Sequence, residues 1–362
     1  MKKIAKILLS AAVMSSMALG MTGCNSEKKD ETTKAAGGET TTTEAAKTSE
    51  EAEKTEGDTE ASSEEGAKTN DGELIKVGII NNDPNESGYR TANDKDMRET
   101  FTKENGYDAS FAYSLKNDEQ IAAAQQFIQD GVDYLLISAA GTAGWETVLQ
   151  DAQDAGIKVI LFDRTIDADE SLYEASIVSA MAKEGETAVD WLASQNLTEY
   201  KIIHIQGVMG SSAQIGRSGA LDSKVAAEAN WTIVSQQTAE WNAETAQQIV
   251  QAVIDSKEEF NVIYAENDDM AKGAVQALDK ANISHGVGKD VIVIGFDCNK
   301  WALEELLKGN WNYDGQCNPF QASYIDDIIK NGAKQKVVIM EEKGFDAATI
   351  TQDDVDKYGI GN

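Results

Sequence analysis

Between positions 25 and 72 the chain has no Val, Ile, Leu, Met, Cys or aromatic residue. That stretch is mostly Glu, Thr, Lys, Ala, Ser and Gly. It has no apolar surface to offset the entropy of ordering, so it is expected to be a disordered tether. Histidine is nearly absent: His204 and His285 are the only 2 in 362 residues, and no HExxH or Cys/His cluster occurs. This argues against a zinc site. Basic residues are few, 32 against 62 acidic, giving a formal net charge of −30 and a pI near 4.3. Nucleic-acid binding relies on clustered Lys and Arg, so nucleic acid is excluded as a partner, and the acidity is read as serving solubility. No phosphate-binding glycine loop is present. Gly207, Gly210 and Ser211 lack the GK[ST] ending and a nearby Lys. No cofactor is expected.

What is present begins at the N-terminus. Lys2, Lys3 and Lys6 precede a short apolar run over 7–19, closed by Met21-Thr22-Gly23-Cys24. A basic start, a short apolar stretch and small residues before a cut mark a signal peptide over 1–23. The run is short for a permanent membrane span. Gly23-Cys24 resembles the lipobox of bacterial lipoproteins, in which the thiol is acylated. The resemblance implies a domain anchored through Cys24 to the outer face of the cell membrane, with 24–72 as its tether. Cys298 and Cys317 are then the remaining cysteines. Spacing leaves a disulfide open, and two buried thiols are the favoured reading.

From about residue 73, roughly 290 residues remain, enough for two lobes each with its own core. Apolar runs fall at 75–80, 109–113, 134–138, 159–162, 175–178, 202–205, 232–234, 262–264 and 291–296. Stretches of helical period lie between most of them, at 92–104, 117–129, 143–155, 181–195, 213–229, 243–255 and 270–281. Strands alternating with helices of this length predict βαβ units and parallel sheets. Val291-Ile292-Val293-Ile294 reads as a strand buried on both faces. Asn117, followed by Gln120, and Asp268, ahead of Met270, are expected helix caps. Nine or more strands divide most naturally into two Rossmann-like α/β lobes. Ligands of such sheets bind beyond the carboxyl ends of the strands, where this chain places Asn, Asp, Arg and aromatic residues.

Those strand ends carry a resemblance. The segments are Ser87-Gly88-Tyr89-Arg90-Thr91-Ala92, Thr142-Ala143-Gly144-Trp145-Glu146, Leu161-Phe162-Asp163-Arg164-Thr165-Ile166, Gln206-Gly207, Ala213-Gln214-Ile215-Gly216-Arg217-Ser218-Gly219, Asn267-Asp268-Asp269-Met270 and Gly295-Phe296-Asp297. In this order they resemble type I periplasmic sugar-binding proteins, the ribose- and galactose-binding group of ABC importers, and most of all its galactofuranose-binding branch. The resemblance implies two lobes joined by three crossings, near Ser179, Cys317 and Glu341. The lobes would be 73–178 with 317–340, and 179–316 with 341–362. It implies that Asp163, Arg164, Arg217, Asn267 and Asp297 are polar ligands of a monosaccharide, that Arg90 belongs to the galactofuranose-type variant, and that Trp241 stacks on the sugar with Tyr89 opposite. Gln316 and Asn318 share a face of an extended segment, and one of them is expected at the sugar. The branch has an acidic residue where Gln316 stands. Of Asn267 and Asp268, one is expected to cap a helix and the other to touch ligand. Trp145 is read as packing the first lobe. The implied partners are an ABC permease and the membrane through the lipid, with a chemoreceptor left open and the protein a monomer.

Residue chemistry fits this without the resemblance. A sugar needs carboxylates to accept, Arg and Asn to donate and a ring against its C–H face; bonds to charged groups contribute about 1.5–3 kcal/mol each. A glycosidase needs two carboxylates at a set separation, one with a raised pKa. Here Arg and Asn alternate with the carboxylates, which is expected to keep them ionised. A transcription-factor sensor shares such a fold, but no helix-turn-helix precedes residue 74. A nucleoside site calls for more stacking than Tyr89 and Trp241 supply.

Overall fold

The computed structural model describes residues 73–361. The expected signal peptide, the anchor at Cys24 and the tether all lie outside these residues. A first run of elements comprises β1 (Ile75–Asn81), α1 (Gly88–Thr100), β2 (Tyr107–Tyr113), α2 (Asn117–Asp130), β3 (Tyr134–Ile137), α3 (Glu146–Asp154), β4 (Lys158–Asp163) and β5 (Ala175–Val178). A second comprises α4 (Met181–Ser194), β6 (Tyr200–Gln206), α5 (Ser212–Ala227), β7 (Trp231–Thr238), α6 (Ala243–Ser256), β8 (Val262–Ala265), α7 (Asp268–Ala281), β9 (Ile292–Asp297), α8 (Lys300–Leu307) and β10 (Tyr313–Gln316). The chain then returns through α9 (Ala322–Asn331) and β11 (Val337–Ile339), and ends with β12 (Gly344–Asp346) and α10 (Gln352–Tyr358).

The strands form two six-stranded sheets, β11-β5-β4-β3-β1-β2 and β12-β10-β9-β8-β6-β7. Every pairing is parallel except β12 against β10. The chain therefore passes between sheets three times: after β5, after β10 and after β11. Both faces of each sheet are covered, which explains the continuous apolar runs. In β1, Val77 and Ile79 enter one core and Ile80 the opposite one. In β9, Val293 faces one core while Ile294 and Phe296 face the other. This is the period-two alternation of a strand.

Two local expectations are corrected. α1 begins at Gly88, ahead of residue 92, because the Ser87 side chain accepts from the Arg90 backbone N–H and caps it. Tyr89 and Arg90 thus ride on the first helical turn. Asn117 does not cap α2. Lys116 holds the cap position without a side-chain bond, and Asn117 accepts instead from Gly141 N and Trp145 Nε1. Trp145 is fully buried in a core of the first sheet.

Candidate functional site

Asp163 is the last residue of β4 and Asp297 the last of β9, so both carboxyls emerge where their parallel sheets end. Both have left-handed backbones, φ 64° and 110°, as does Trp241 at φ 67°. Glu240 and Cys298 alongside them share the feature. Non-glycine residues held at positive φ cost about 1–3 kcal/mol each and concentrate where a structure is shaped for function. Arg90 comes from α1, Arg217 from the second turn of α5, and Asn267 from the cap of α7. A small cavity lies among them, lined also by Glu86, Ser87, Tyr89, Arg164, Met181, Ala213, Trp241 and Cys317. Eight of the nine residues expected at the ligand therefore meet around one space, contributed by both sheets.

Gln316 is the exception. It lies at the end of β10 and lines a neighbouring cleft, while Cys317, one residue on, faces the cavity. Asn318 does not line the cavity either: its side chain accepts from the Phe320 backbone N–H and its carbonyl from Tyr89 and Gln321. Of the Asn267-Asp268 pair, Asn267 is the cap and also the one at the cavity. Its Oδ1 caps α7 by accepting from Met270 N at 2.8 Å, and the residue lines the cavity. Asp268 turns away and accepts from Asn299 N.

The polar side chains are almost wholly buried. Asp163 accepts from Arg90 Nη2 at 2.8 Å, Ser138 Oγ at 2.7 Å and Tyr89 OH at 2.8 Å. Its closest cation is thus Arg90; Arg164 stands 3.7 Å away and reaches Glu86 at 3.6 Å. Burial alone would raise the Asp163 carboxyl, but Arg90, Arg164 and Ser138 together hold it below the ordinary range. Arg217 bridges Glu184 at 2.7 Å and Asp297 at 3.3 Å, and donates to the Glu266 carbonyl. Two other carboxyls of the cavity are shifted the opposite way. Burial raises Glu86 above its usual value despite Arg164 and Arg90. Burial likewise raises Asp297 well above its own, with Arg217 opposing and Glu184 adding to the rise.

Glu86 Oε2, Arg90 Nε and Trp241 Nε1 are buried and have no hydrogen-bond partner. Each unmet group costs about 1–3 kcal/mol, so a ligand supplying both acceptors and donors would relieve all three. The Trp241 ring packs on Gly207, where an added Cβ would fall 1.9 Å from the indole. The Arg164 guanidinium lies 5.6 Å from the centre of the same indole. Further contacts join the two lobes: Gly88 N donates to Asp269 Oδ2 at 3.0 Å, Thr142 N to Gly210 O at 3.1 Å and Thr165 N to Ser212 Oγ at 3.2 Å. The lobes are closed on one another.

Glu86 and Glu184 were not foreseen. Glu86 had a faint signal in standing just ahead of the Ser87 segment. Glu184 reads as one of many helical acids, and only the fold places it beside Arg217. Cys298 and Cys317 are both free thiols. Among the described residues no helix is long and apolar enough to cross a membrane.

The sequence pattern described as "Periplasmic binding protein domain" matches residues 77–343. The chain is similar to the fructose import binding protein FruE of Bifidobacterium longum, with 30% identity over 80% of this chain and 88% of that protein. Among solved structures it is similar to the periplasmic binding protein of the arabinose ABC transporter from Shewanella sp. ANA-3, bound to α- and β-L-arabinofuranose. That match has 28% identity, TM-score 0.69, and covers 75% of this chain and 92% of the other. A galactofuranose binding protein matches with 26% identity and TM-score 0.72, covering 78% and 98%.

Proposed function

The chain belongs to the family of periplasmic binding protein domains, and on that premise we propose that it is a solute-binding lipoprotein that captures a monosaccharide and delivers it to an ABC permease. The observation that carries the proposal is the closed cavity between the strand ends. It offers Asp163, Arg90, Arg164, Arg217 and Asn267 to hydroxyls, Trp241 to a C–H face, and three buried polar atoms without partners. The relatives named for fructose, arabinofuranose and galactofuranose support a sugar in furanose form. In this proposal the ligand-binding lobes are 73–178 with 317–340, and 179–316 with 341–362. Cys24 carries the lipid that holds the protein outside the membrane.

The protein performs no chemistry on the sugar in this reading. One observation favours a hydrolase: Asp163 is held down and Asp297 pushed up, the split an acid–base pair uses. One experiment separates the two. Purified protein is examined by native mass spectrometry, then melted with D-fructose, D-galactose, L-arabinose and D-ribose. A sugar at a hundred times its Kd stabilises by about 2.7 kcal/mol and is recovered unchanged after long incubation. Stabilisation by none of the sugars would end the sugar reading, and consumption of a bound sugar would replace the binder with an enzyme.

A further inference from the structure

Where the three crossings meet, the structure buries a set of acids, only one of which, Asp297, lines the ligand cavity. Ser179 follows β5, Cys317 follows β10, and Glu342 precedes β12. Glu342 Oε1 accepts from Ser179 Oγ at 2.6 Å and from the Asn318 backbone N–H at 2.7 Å. The Ser179 hydroxyl lies 3.5 Å from Cys317 Sγ. One carboxylate oxygen on the third crossing therefore holds the first two. The other oxygen, Oε2, is buried without a partner, and so is Glu184 Oε1 in the first turn of α4. Glu184, Cys317 and Glu342 bring ligand atoms within 4.8 Å of one another.

The charges around Glu342 do not balance as carboxylates. Arg217 of α5 is the one buried cation facing the group, and it already pairs with Glu184 Oε2 and with Asp297 of β9. Lys183 and Lys343 line the adjoining cleft but are paired outward, with Glu186 and Asp354. Tyr313 of β10 and Cys317 stay neutral, since burial raises both well above their ordinary values. Two buried carboxyl oxygens without donors, beside a guanidinium that would repel a metal cation, call for one proton.

We propose that Glu342 holds a proton beside Glu184 in the closed molecule, and that this proton fastens the three crossings, so that its loss in alkali loosens the hinge. The carboxyl of Glu342 is pushed up to about 8 by burial and then by Glu184, against the pull of Ser179, Asn318 and Arg217. Its folded value thus lies above its unfolded value of 4.5. The stability it contributes is full below the unfolded value and is lost as pH rises through the folded one.

The test uses the full chain without ligand, so it does not depend on the sugar reading. Glu342→Gln imitates the protonated form: its oxygen can still accept from Ser179 and Asn318, and its amide can donate to Glu184. Thermal midpoints are measured from about pH 6 to about pH 10, with hydrogen exchange followed at the crossings. The wild type should lose stability with a slope of one proton or more up to about pH 8, and its Asn318 amide should deprotect beyond the intrinsic pH effect. The Gln variant should have a slope shallower by about one proton, since the raised carboxyls of Asp297 and Asp314 still titrate in it, and should lack the extra deprotection at Asn318. Infrared spectra supply a second readout: a protonated-carboxyl band present at neutral pH in the wild type and missing from the Gln variant should vanish over the same range. Equal slopes in the two proteins, or no such band, would overturn the proposal. So would a midpoint raised by zinc chloride and lowered by EDTA, which would make the cluster a metal site.

Discussion

Asp163 binds Tyr89, Arg90 and Ser138 at once, and its removal would leave the Arg90 and Arg164 charges buried together. Breaking a buried pair by deleting one partner costs about 3–5 kcal/mol. Asp163→Ala should therefore lower the thermal midpoint of the free protein as well as weaken sugar binding by about ten- to a hundredfold, the value of a lost bond to a charged group. Calorimetry and melting on the same preparation check both. Unchanged affinity in a folded variant would place the pocket elsewhere. Most of the cavity was legible residue by residue, because a polar residue directly after an apolar run has few reasons to be there. What escaped was whatever depends on distant neighbours: that Arg90 outranks Arg164 as the partner of Asp163, that Cys317 faces inward in place of Gln316, and that Glu184 meets Arg217.

That last meeting is made by two helices. α4 and α5 approach closely because Gly185 and Gly216 face each other; a Cβ on Gly216 would lie 2.6 Å from the Ala182 nitrogen. Gly216→Val should push α5 away from α4 and strain the 2.7 Å Arg217–Glu184 pair. Overpacking of this kind costs about 1–3 kcal/mol. A Cβ at Gly219 on the same helix would meet nothing within 4 Å, so Gly219→Val serves as control for the change in propensity. The midpoint and sugar affinity should fall for the first variant and stay nearly level for the second. Equal effects would assign the loss to propensity alone. Among the elements, nine strands and seven helices were readable from apolar runs and helical period, although the caps expected at Asn117 and Asp268 were misplaced. β10, β11 and β12 were not: Tyr313-Asp314-Gly315-Gln316 has no apolar run, and the other two are three residues long. α8 and α10, of 8 and 7 residues, are too short to show a period of their own, whereas α9, of 10 residues, was missed although its buried Ala322, Ile325, Ile328 and Ile329 keep helical spacing.

For the whole molecule the question is what holds two separately cored lobes together. The sequence implied two lobes that close on a ligand between them only through strand count and resemblance, and the contacts that make the seam were not legible, because they join segments far apart in the chain. One of these can be tested without touching the cavity's charged residues. A Cβ on Gly88 would fall 1.9 Å from Asn299 Oδ1. Asn299 has little room to yield, since Asp268 Oδ2 holds its backbone N–H at 2.7 Å and its side-chain amide at 3.1 Å. The same turn of α1 donates Gly88 N to Asp269, so its approach is fixed from both sides. Gly88→Ala should leave each lobe intact while penalising the closed arrangement. A ligand shifts such an equilibrium only by its differential affinity for the two states, so a penalty on the closed state appears directly as weaker binding. With saturating sugar, small-angle scattering should give Gly88→Ala a larger radius of gyration than the wild type, and calorimetry should give about tenfold weaker affinity for each 1.4 kcal/mol of clash. The midpoint without sugar should stay close to that of the wild type. If the variant closes and binds as the wild type does, the seam at Gly88 and Asn299 is not what limits closure, and the hinge itself must set it.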